Sequence, residues 1–411
     1  MTETSIPEIP LLRNRDFLFF IVGRFSNVVG VQILTVAVGW YGYKLTGDPL
    51  DLGYIGLAQF IPALLFFLVA GYVSDKYDRR VILFCCNVGH LLVVLMLMLV
   101  FWGDYGGVRI ILCILILHGT ARAFFHTAGQ AILPNIVSTV TFPKAVAYSS
   151  SVNKAAQLIG PALGGGLIAW ADDWTYIVTL LMFALSAISS IMISARLKLE
   201  LPDKLTFETL LGGFNFIWQN KIVLGAISID LMAVLLGGVM GLLPIYASDV
   251  LDVGADGLGV MRAMPGVGSL FMGVWLTQMA FPRFIGPCLF ISLIVFGLSI
   301  LVFSLSKIFW LSLVALLIYG AADMVSVYIR LTLVQLVTPD QMRGRVSAVN
   351  AVSINASNEL GDFRAGLSAA MLGVVPAVLF GGIATLVITA LWMRCFPGIR
   401  RIDRFEELNN Q

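Results

Sequence analysis

Long apolar runs dominate this chain. They cover residues 17–44, 52–73, 81–102, 108–133, 143–170, 175–195, 222–247, 256–280, 284–305, 309–337, 345–370 and 374–395. A helix that crosses a bilayer needs about 20 mostly apolar residues. Each run reaches that length, and the longer ones imply tilt or extension past the hydrocarbon. Backbone N–H and C=O groups in hydrocarbon must bond within the protein, so runs this long and continuous read as helices. The strands of a membrane barrel would alternate over about ten residues. A soluble core does not account for the composition: 59% of residues are hydrophobic and mean hydropathy is +0.92, against about 45–50% apolar in ordinary globular chains.

Loop charge gives orientation. With the N-terminus cytoplasmic, seventeen Lys and Arg fall on that side and three, Lys44, Arg109 and Lys307, on the other. This asymmetry predicts cytoplasmic termini. Outer loops carry acids instead, including Asp48, Asp51, Asp172 and Asp173. The N-terminus lacks the charge, apolar and cleavage-site pattern of a signal peptide, so the first span is expected to be retained. The five cysteines form no C-x-x-C pair and lie in or beside apolar runs, which points to neither a disulfide framework nor a zinc site. No cofactor and no metal are expected, and a net charge of +2 gives no reason to expect a nucleic-acid partner.

The hydrophilic stretch 196–221 divides the runs six and six. Within it, Phe207, Leu210, Leu211, Phe214 and Ile217 recur at helical spacing, predicting an amphipathic helix at the cytoplasmic interface. The expected organisation is a six-helix bundle over 1–195, a linker over 196–221 and a second six-helix bundle over 222–411. Weak similarity at an offset near 200 relates the halves: "KAVAYSSSVN" (144–153) opens one span as "GRVSAVNAVSIN" (344–355) opens another. Duplicated halves are the usual construction of secondary transporters, with the site between them at mid-membrane.

The loop after the second run reads "GYVSDKYDRR" (71–80), five charges in ten residues of a chain that is 12% charged. Gly71, Asp75, Lys76, Arg79 and Arg80 resemble the loop signature of the major facilitator superfamily, with Asp78 where glycine is commoner. Gly160-Pro161-x-x-Gly164-Gly165 looks like an element common in exporters of that superfamily. Physically, it makes a kink and a close helix contact. "LLPIYASDVLDVG" (242–254), "TPDQMRGRVSAVN" (338–350) and "NELGDFRAG" (358–366) resemble the branch of enterobactin-exporter-like and macrolide-efflux-like proteins. This resemblance covers nearly the whole chain. It implies an all-α membrane protein of twelve transmembrane helices in two pseudo-symmetric bundles, in the bacterial inner membrane. It also implies proton-driven export of an organic solute, and a cytoplasmic latch carried by Asp75 and Arg79. A charge-assisted hydrogen bond from Arg343 or Arg345 to the Asp75 carboxylate is the expected closing contact. The chain departs from the branch where many relatives carry an acid after the mid-span glycine of the first helix: Gly30 is followed by Val31.

Ionisable residues within the spans are the direct clues to mechanism, because each is costly unless paired or wet. The bases are Arg24, Arg122, Lys154, Arg262, Arg330 and Arg364, and the acids are Asp230, Asp323, Glu359 and Asp362. Lys154 and Asp323 fall near mid-span, and Arg330 is near enough to the cytoplasmic side to snorkel. Asp230 reads equally as an ion-pair member. His118, Arg122 and His126 form one i, i+4, i+8 stripe, open to anion contact, proton relay or packing. "SINASNELGDFRAG" carries Asn355, Asn358, Glu359, Asp362 and Arg364, too polar to face lipid. Glu359 and Asp362, at i and i+3, are either a proton-carrying pair or are neutralised by a base. Trp40, Tyr41, Tyr43 and Tyr246 are candidates for the outer mouth or for interfacial anchoring.

The sequence therefore points to a non-enzymatic, monomeric secondary exporter. Substrate contacts are expected from Arg122, His118, His126, Lys154, Asn355 and Asn358, and coupling from Glu359, Asp362, Asp323 and Asp230. A broad transporter of apolar drugs or lipids is the alternative. A channel would need a pore ring, and an intramembrane enzyme a catalytic constellation that the sequence lacks.

Overall fold

The computed structural model describes residues 10–103, 107–138, 140–172, 174–194, 207–278 and 283–405. Arg196, Lys198, Lys204, Asp173 and the first part of the expected linker lie outside them. Among the described residues there is no strand. The chain groups into two compact units, one of residues 1–46 and 58–205, the other of 47–57 and 206–411.

The first unit is built on α1 (Arg15–Thr46), the greater part of α2 (Pro49–Lys76), α3 (Arg79–Gly103), α4 (Val108–Ile136), α5 (Phe142–Trp170) and α6 (Trp174–Met192). Helix α1 packs on α5 and α6, and α3 on α4 and α6. Glycines set the closest approaches. A Cβ on Gly160 would lie 2.5 Å from the Gln32 side chain, and one on Gly164 would lie 3.1 Å from the Ile33 backbone. The Gly160-Pro161-x-x-Gly164-Gly165 element is thus the α5 face that lets α1 come close, and all four of these residues are buried. Gly119 of α4 meets the backbone of Gln59 in α2 in the same way.

The second unit opens with α7 (Phe207–Gln219). After Asn220 the chain continues as α8 (Lys221–Gly237), and the Asn220 side chain caps α8 by accepting from the N–H groups of Ile222 and Val223 at 3.1 and 3.2 Å. Next come a 3-10 turn (Met240–Leu242), the short α9 (Leu243–Ile245) and a π turn (Tyr246–Val250). The unit is completed by α10 (Gly254–Gln278), α11 (Ile285–Leu305), α12 (Phe309–Val337), α13 (Asp340–Leu372), α14 (Val374–Cys395) and the short α15 (Pro397–Arg400). Here α8 packs on α13 and α14, and α11 on α12 and α14. Gly320 of α12 meets the Pro265 backbone of α10, as Gly119 of α4 meets α2. The second unit repeats the contact order of the first, which is the pseudo-symmetry of two six-helix bundles. Residues 47–57 group with the second unit because Gly53 packs on Phe363 and Gly366 on the Pro49 backbone.

Among the described residues, ten helical segments are long and apolar enough to cross a membrane, with Lys221–Val250 taken as one. The remaining two expected spans are α5, of 29 residues, and α13, of 33. At about 1.5 Å per residue both are long enough, but both are more polar. Helix α7 lies against α13, and its Ile217 joins Val223, Ile227, Val334 and Val346 in an apolar cluster. Phe214 and Trp218 of α7 remain exposed and stack on each other. One apolar face docked and another open suits an interfacial helix.

Candidate transport site

In the second unit, polar chemistry collects at an interruption in the seventh span. Gly237 and Gly238 end α8, and the helix does not restart until Pro244 and its neighbours. Such a break frees backbone groups that hydrocarbon cannot satisfy. Side chains from two other helices satisfy them. The Gly241 N–H donates to the Asp362 carboxylate at 2.9 Å. Arg364 donates to the carbonyls of Leu235 and Gly238 at 3.2 and 3.3 Å. Arg262 of α10 donates to the Met240 carbonyl at 3.5 Å. Asp362 and Arg364 thus brace the broken helix from α13. Glu359, one turn earlier on α13, lies beside Gly56.

Asp230 of α8 pairs with Arg330 of α12 at 2.7 Å, and Arg330 also donates to Ser326 at 2.9 Å. Both members are buried, at 6% and 5% exposure. The expected snorkelling of Arg330 is therefore replaced by a closed ion pair. Asn355 and Asn358 present exposed side chains whose amides donate to the carbonyls of Ala351 and Ile354. Tyr246 is fully buried against Phe303, which removes it from any mouth or anchor role.

In the first unit, Arg122, His126 and Lys154 are exposed, whereas His118 is 1% exposed. The α4 stripe thus divides: two members face outward and one turns into the bundle. There His118 meets His90 of α3, with ring centroids 4.7 Å apart, and His90 stacks on Phe183 of α6 at 4.8 Å. Beside them Asn27 of α1 donates to Asn87 of α3 at 2.9 Å. His90, Asn27 and Asn87 escaped the sequence reading, which followed charged residues and the polar stretches of α4 and α13. The i, i+3 spacing of Asn87 and His90 was the available signal.

The charged loop is anchored within its own unit. Arg79 donates to the Ala131 carbonyl at 2.6 Å and to Asn135 at 2.5 Å, and it pairs with Asp75 at 3.7 Å. Arg80 donates to the Ile193 carbonyl at 2.8 Å, near the end of α6. Arginines bonded to helix-terminal carbonyls satisfy groups that the helix leaves open. Asp78 accepts from the Arg80 N–H at 3.0 Å and from its guanidinium at 2.6 Å, so it starts α3 as a cap. The Arg80 hydrogen bonds hold the Asp78 carboxyl below its ordinary range. Their stabilising effect is present above the ordinary carboxylate pKa and is lost as pH falls through the lowered value. On the second unit, Arg343 donates to the Gln335 carbonyl at 3.3 Å, and the Arg345 backbone packs at Gly213 of α7. Gly71 has no neighbour within 4 Å of an added Cβ.

Comparison with known proteins fits this architecture. The chain matches the family described as transmembrane secretion effector over residues 9–408. Enterobactin exporter EntS of Citrobacter koseri is 22% identical over 92% of this chain and 91% of its own length. The same exporter from Escherichia coli O157:H7 is 23% identical over the same shares. Among solved structures, a peptide transporter POT superposes with a TM-score of 0.74 at 11% identity, covering 97% of each chain. A bacterial homologue of the iron transporter ferroportin superposes at 0.72 with 16% identity, covering 94% of this chain and 99% of its own.

The buried Asp230–Arg330 pair yields a direct test. Removing one partner of a buried pair costs about 3–5 kcal/mol, whereas well-packed apolar replacement of both is often neutral. Asp230→Ala should sharply lower thermal stability in detergent, and Asp230→Leu combined with Arg330→Met should recover most of it. A single variant as stable as the parent would exclude the pair as a structural element.

The two repeated helical bundles share the fold of solved transporters, and the family match over residues 9–408 gives the conclusion: the chain is a multi-pass membrane transporter, not an enzyme, and belongs to the transmembrane secretion effector family of the major facilitator superfamily.

Proposed function

We propose that this transporter exports a medium-sized organic anion of siderophore character from a bacterial cytoplasm, across the inner membrane, in exchange for protons. It works as a monomer with both termini cytoplasmic. The observation that carries the reading is a surplus of positive charge within the spans of a full-length relative of enterobactin exporters. Six bases stand against four acids, and closing the Asp230–Arg330 pair leaves five against three. Excess fixed positive charge in a low-dielectric cavity favours an anion.

The proposed substrate contacts are Arg122, His126 and Lys154 on the first unit, and Asn355 and Asn358 on the second. All five side chains are exposed in their own units. In the second unit, coupling is assigned to Glu359 and Asp323. Asp230 is committed to Arg330, and Asp362 to the break in the seventh span. An exporter of apolar drugs or lipids is the competing reading, and it has no use for the basic surplus.

The test is proton flux in proteoliposomes under an imposed pH gradient, with a catecholate siderophore and a macrolide as probes. The reading predicts saturable proton movement stimulated by the catecholate and lost in Glu359→Gln. Stimulation by the macrolide alone would favour the competing reading, and flux that does not saturate would indicate a channel.

The loop carries a second proposal. The Asp75 carboxylate, which with Arg79 follows Gly71, accepts a charge-assisted hydrogen bond from Arg343 or Arg345 when the cytoplasmic side closes, as a latch. A contact made in one state and absent in the other shifts a two-state equilibrium by its full free energy. Asp75→Asn should enlarge the cytoplasm-open population measured between spin labels on the cytoplasmic ends of α2 and α13. Unchanged distances together with normal transport would remove the latch.

A further inference from the structure

Coupling protons to transport requires a group that gains and loses a proton near neutral pH and whose protonation is tied to the moving helices. The spans of the second unit carry the acids Asp230, Asp323, Glu359 and Asp362. In the first, α3, α4, α5 and α6 contain no Asp or Glu, and the acid of α1 is Asp16 in its first turn. The acids of α2 are Asp51, in its first turn, and Asp75, next to its C-terminal Lys76. Among the described residues, the helices of the first unit therefore carry no carboxylate between their ends. They do carry imidazoles, the side chains whose ordinary titration falls between about pH 5 and 8.

His90 is 0% exposed and His118 is 1% exposed. Neither ring nitrogen of His90 has a hydrogen-bond partner, and neither does Nδ1 of His118. A neutral imidazole always carries one N–H and one lone pair, and leaving such groups unbonded in a dry interior costs about 1–3 kcal/mol each. Packing alone would be served better by an apolar ring. The cost is sustained by a deliberate arrangement. Gly30 of α1 lacks the Cβ that would lie 3.1 Å from Phe183, so Phe183 reaches in and covers His90. The two imidazoles are then pressed together at 4.7 Å.

We infer that His90 and His118 together form the proton-binding site of the first unit. The inference rests on the proton-exchange reading above and moves His118 from substrate contact to coupling. A proton entering the pair bonds to a ring nitrogen of one histidine, beside the neutral ring of the other. One N–H bond forms on uptake and breaks on release, and no other bond changes. The other charged or titratable side chains on the packed elements are Cys113, Arg122 and His126 of α4, Cys85 and Cys86 of α3, Arg24, Tyr41 and Tyr43 of α1, Tyr54 and Tyr72 of α2, and Tyr176 of α6, besides the charges at helix ends. With no carboxylate among them to neutralise an imidazolium, the charged pair is incompatible with the present dry packing. Proton uptake therefore requires α1, α3, α4 and α6 to repack, which ties the proton to a conformational change.

The chain has three histidines, so the full-length protein in nanodiscs, labelled at histidine with 13C and 15N, gives three imidazole signals. His90→Gln and His118→Gln assign them. The inference predicts that the two signals of the pair titrate together, taking up one proton between about pH 5 and 8. Both rings staying neutral across that range, with and without a catecholate, overturns it, and this readout needs no variant to be active. In proteoliposomes, His90→Gln and His118→Gln should each cut catecholate-stimulated proton flux by about tenfold or more, while catecholate exchange without a pH gradient continues. Equal loss of exchange and coupling would give the pair a packing role and overturn the inference. No proton flux in the parent protein would overturn the proton-exchange reading itself. Flux in the parent that the variants fully retain would overturn the His90–His118 assignment alone.

Discussion

The structure depends on one constraint: a polar group within hydrocarbon must find its partner inside the protein. That rule sorts the ionisable residues of the spans. Asp230 and Arg330 close on each other at 2.7 Å. Asp362, Arg364 and Arg262 are spent on the backbone of the broken seventh span. Asn27 and Asn87 bond to each other. Against this background the His90–His118 contact brings together three buried ring nitrogens, both of His90 and Nδ1 of His118, without hydrogen bonds.

The two units apply the constraint through the same packing scheme and different chemistry. In each, the first helix of the unit's bundle packs on the fifth and sixth, and glycines bring the second and fourth within backbone contact. The first unit keeps its opening helix whole through Arg15–Thr46 and seals it with the glycine face of α5. The second interrupts the equivalent helix at Gly238 and braces the break from α13 and α10. A shared scaffold with one intact and one broken helix places interior carboxylates in one bundle and interior imidazoles in the other.

Much of the fold was legible in the sequence, because run length is a local property. The helices and the glycine-rich face of the fifth span follow from short stretches. What was not legible depends on partners far apart in the chain. Asp230 and Arg330 are 100 residues apart, and nothing near either announces the other. The seventh span read as one continuous run, although Gly237, Gly238, Gly241 and Pro244 mark the break, because a hydropathy average does not register backbone geometry. Asp78 stood out as a departure from the loop signature, but its capping of α3 through Arg80 needed coordinates. His90 sits one turn from Asn87 in an otherwise apolar stretch of α3, and only the fold brings it to His118.

The most direct test of the constraint is whether Asp362 and its neighbours truly hold the interruption. Amide hydrogen exchange across 235–245 in nanodiscs, compared between the parent protein and Asp362→Ala, reads this out. The account predicts that exchange at Gly241 and its neighbours rises strongly in the variant, while α11 and α12 stay protected, since freeing a buried donor opens the local structure first. Exchange at Gly241 that is unchanged in Asp362→Ala would contradict the account, because the break would then be satisfied by something other than the side chains that reach it.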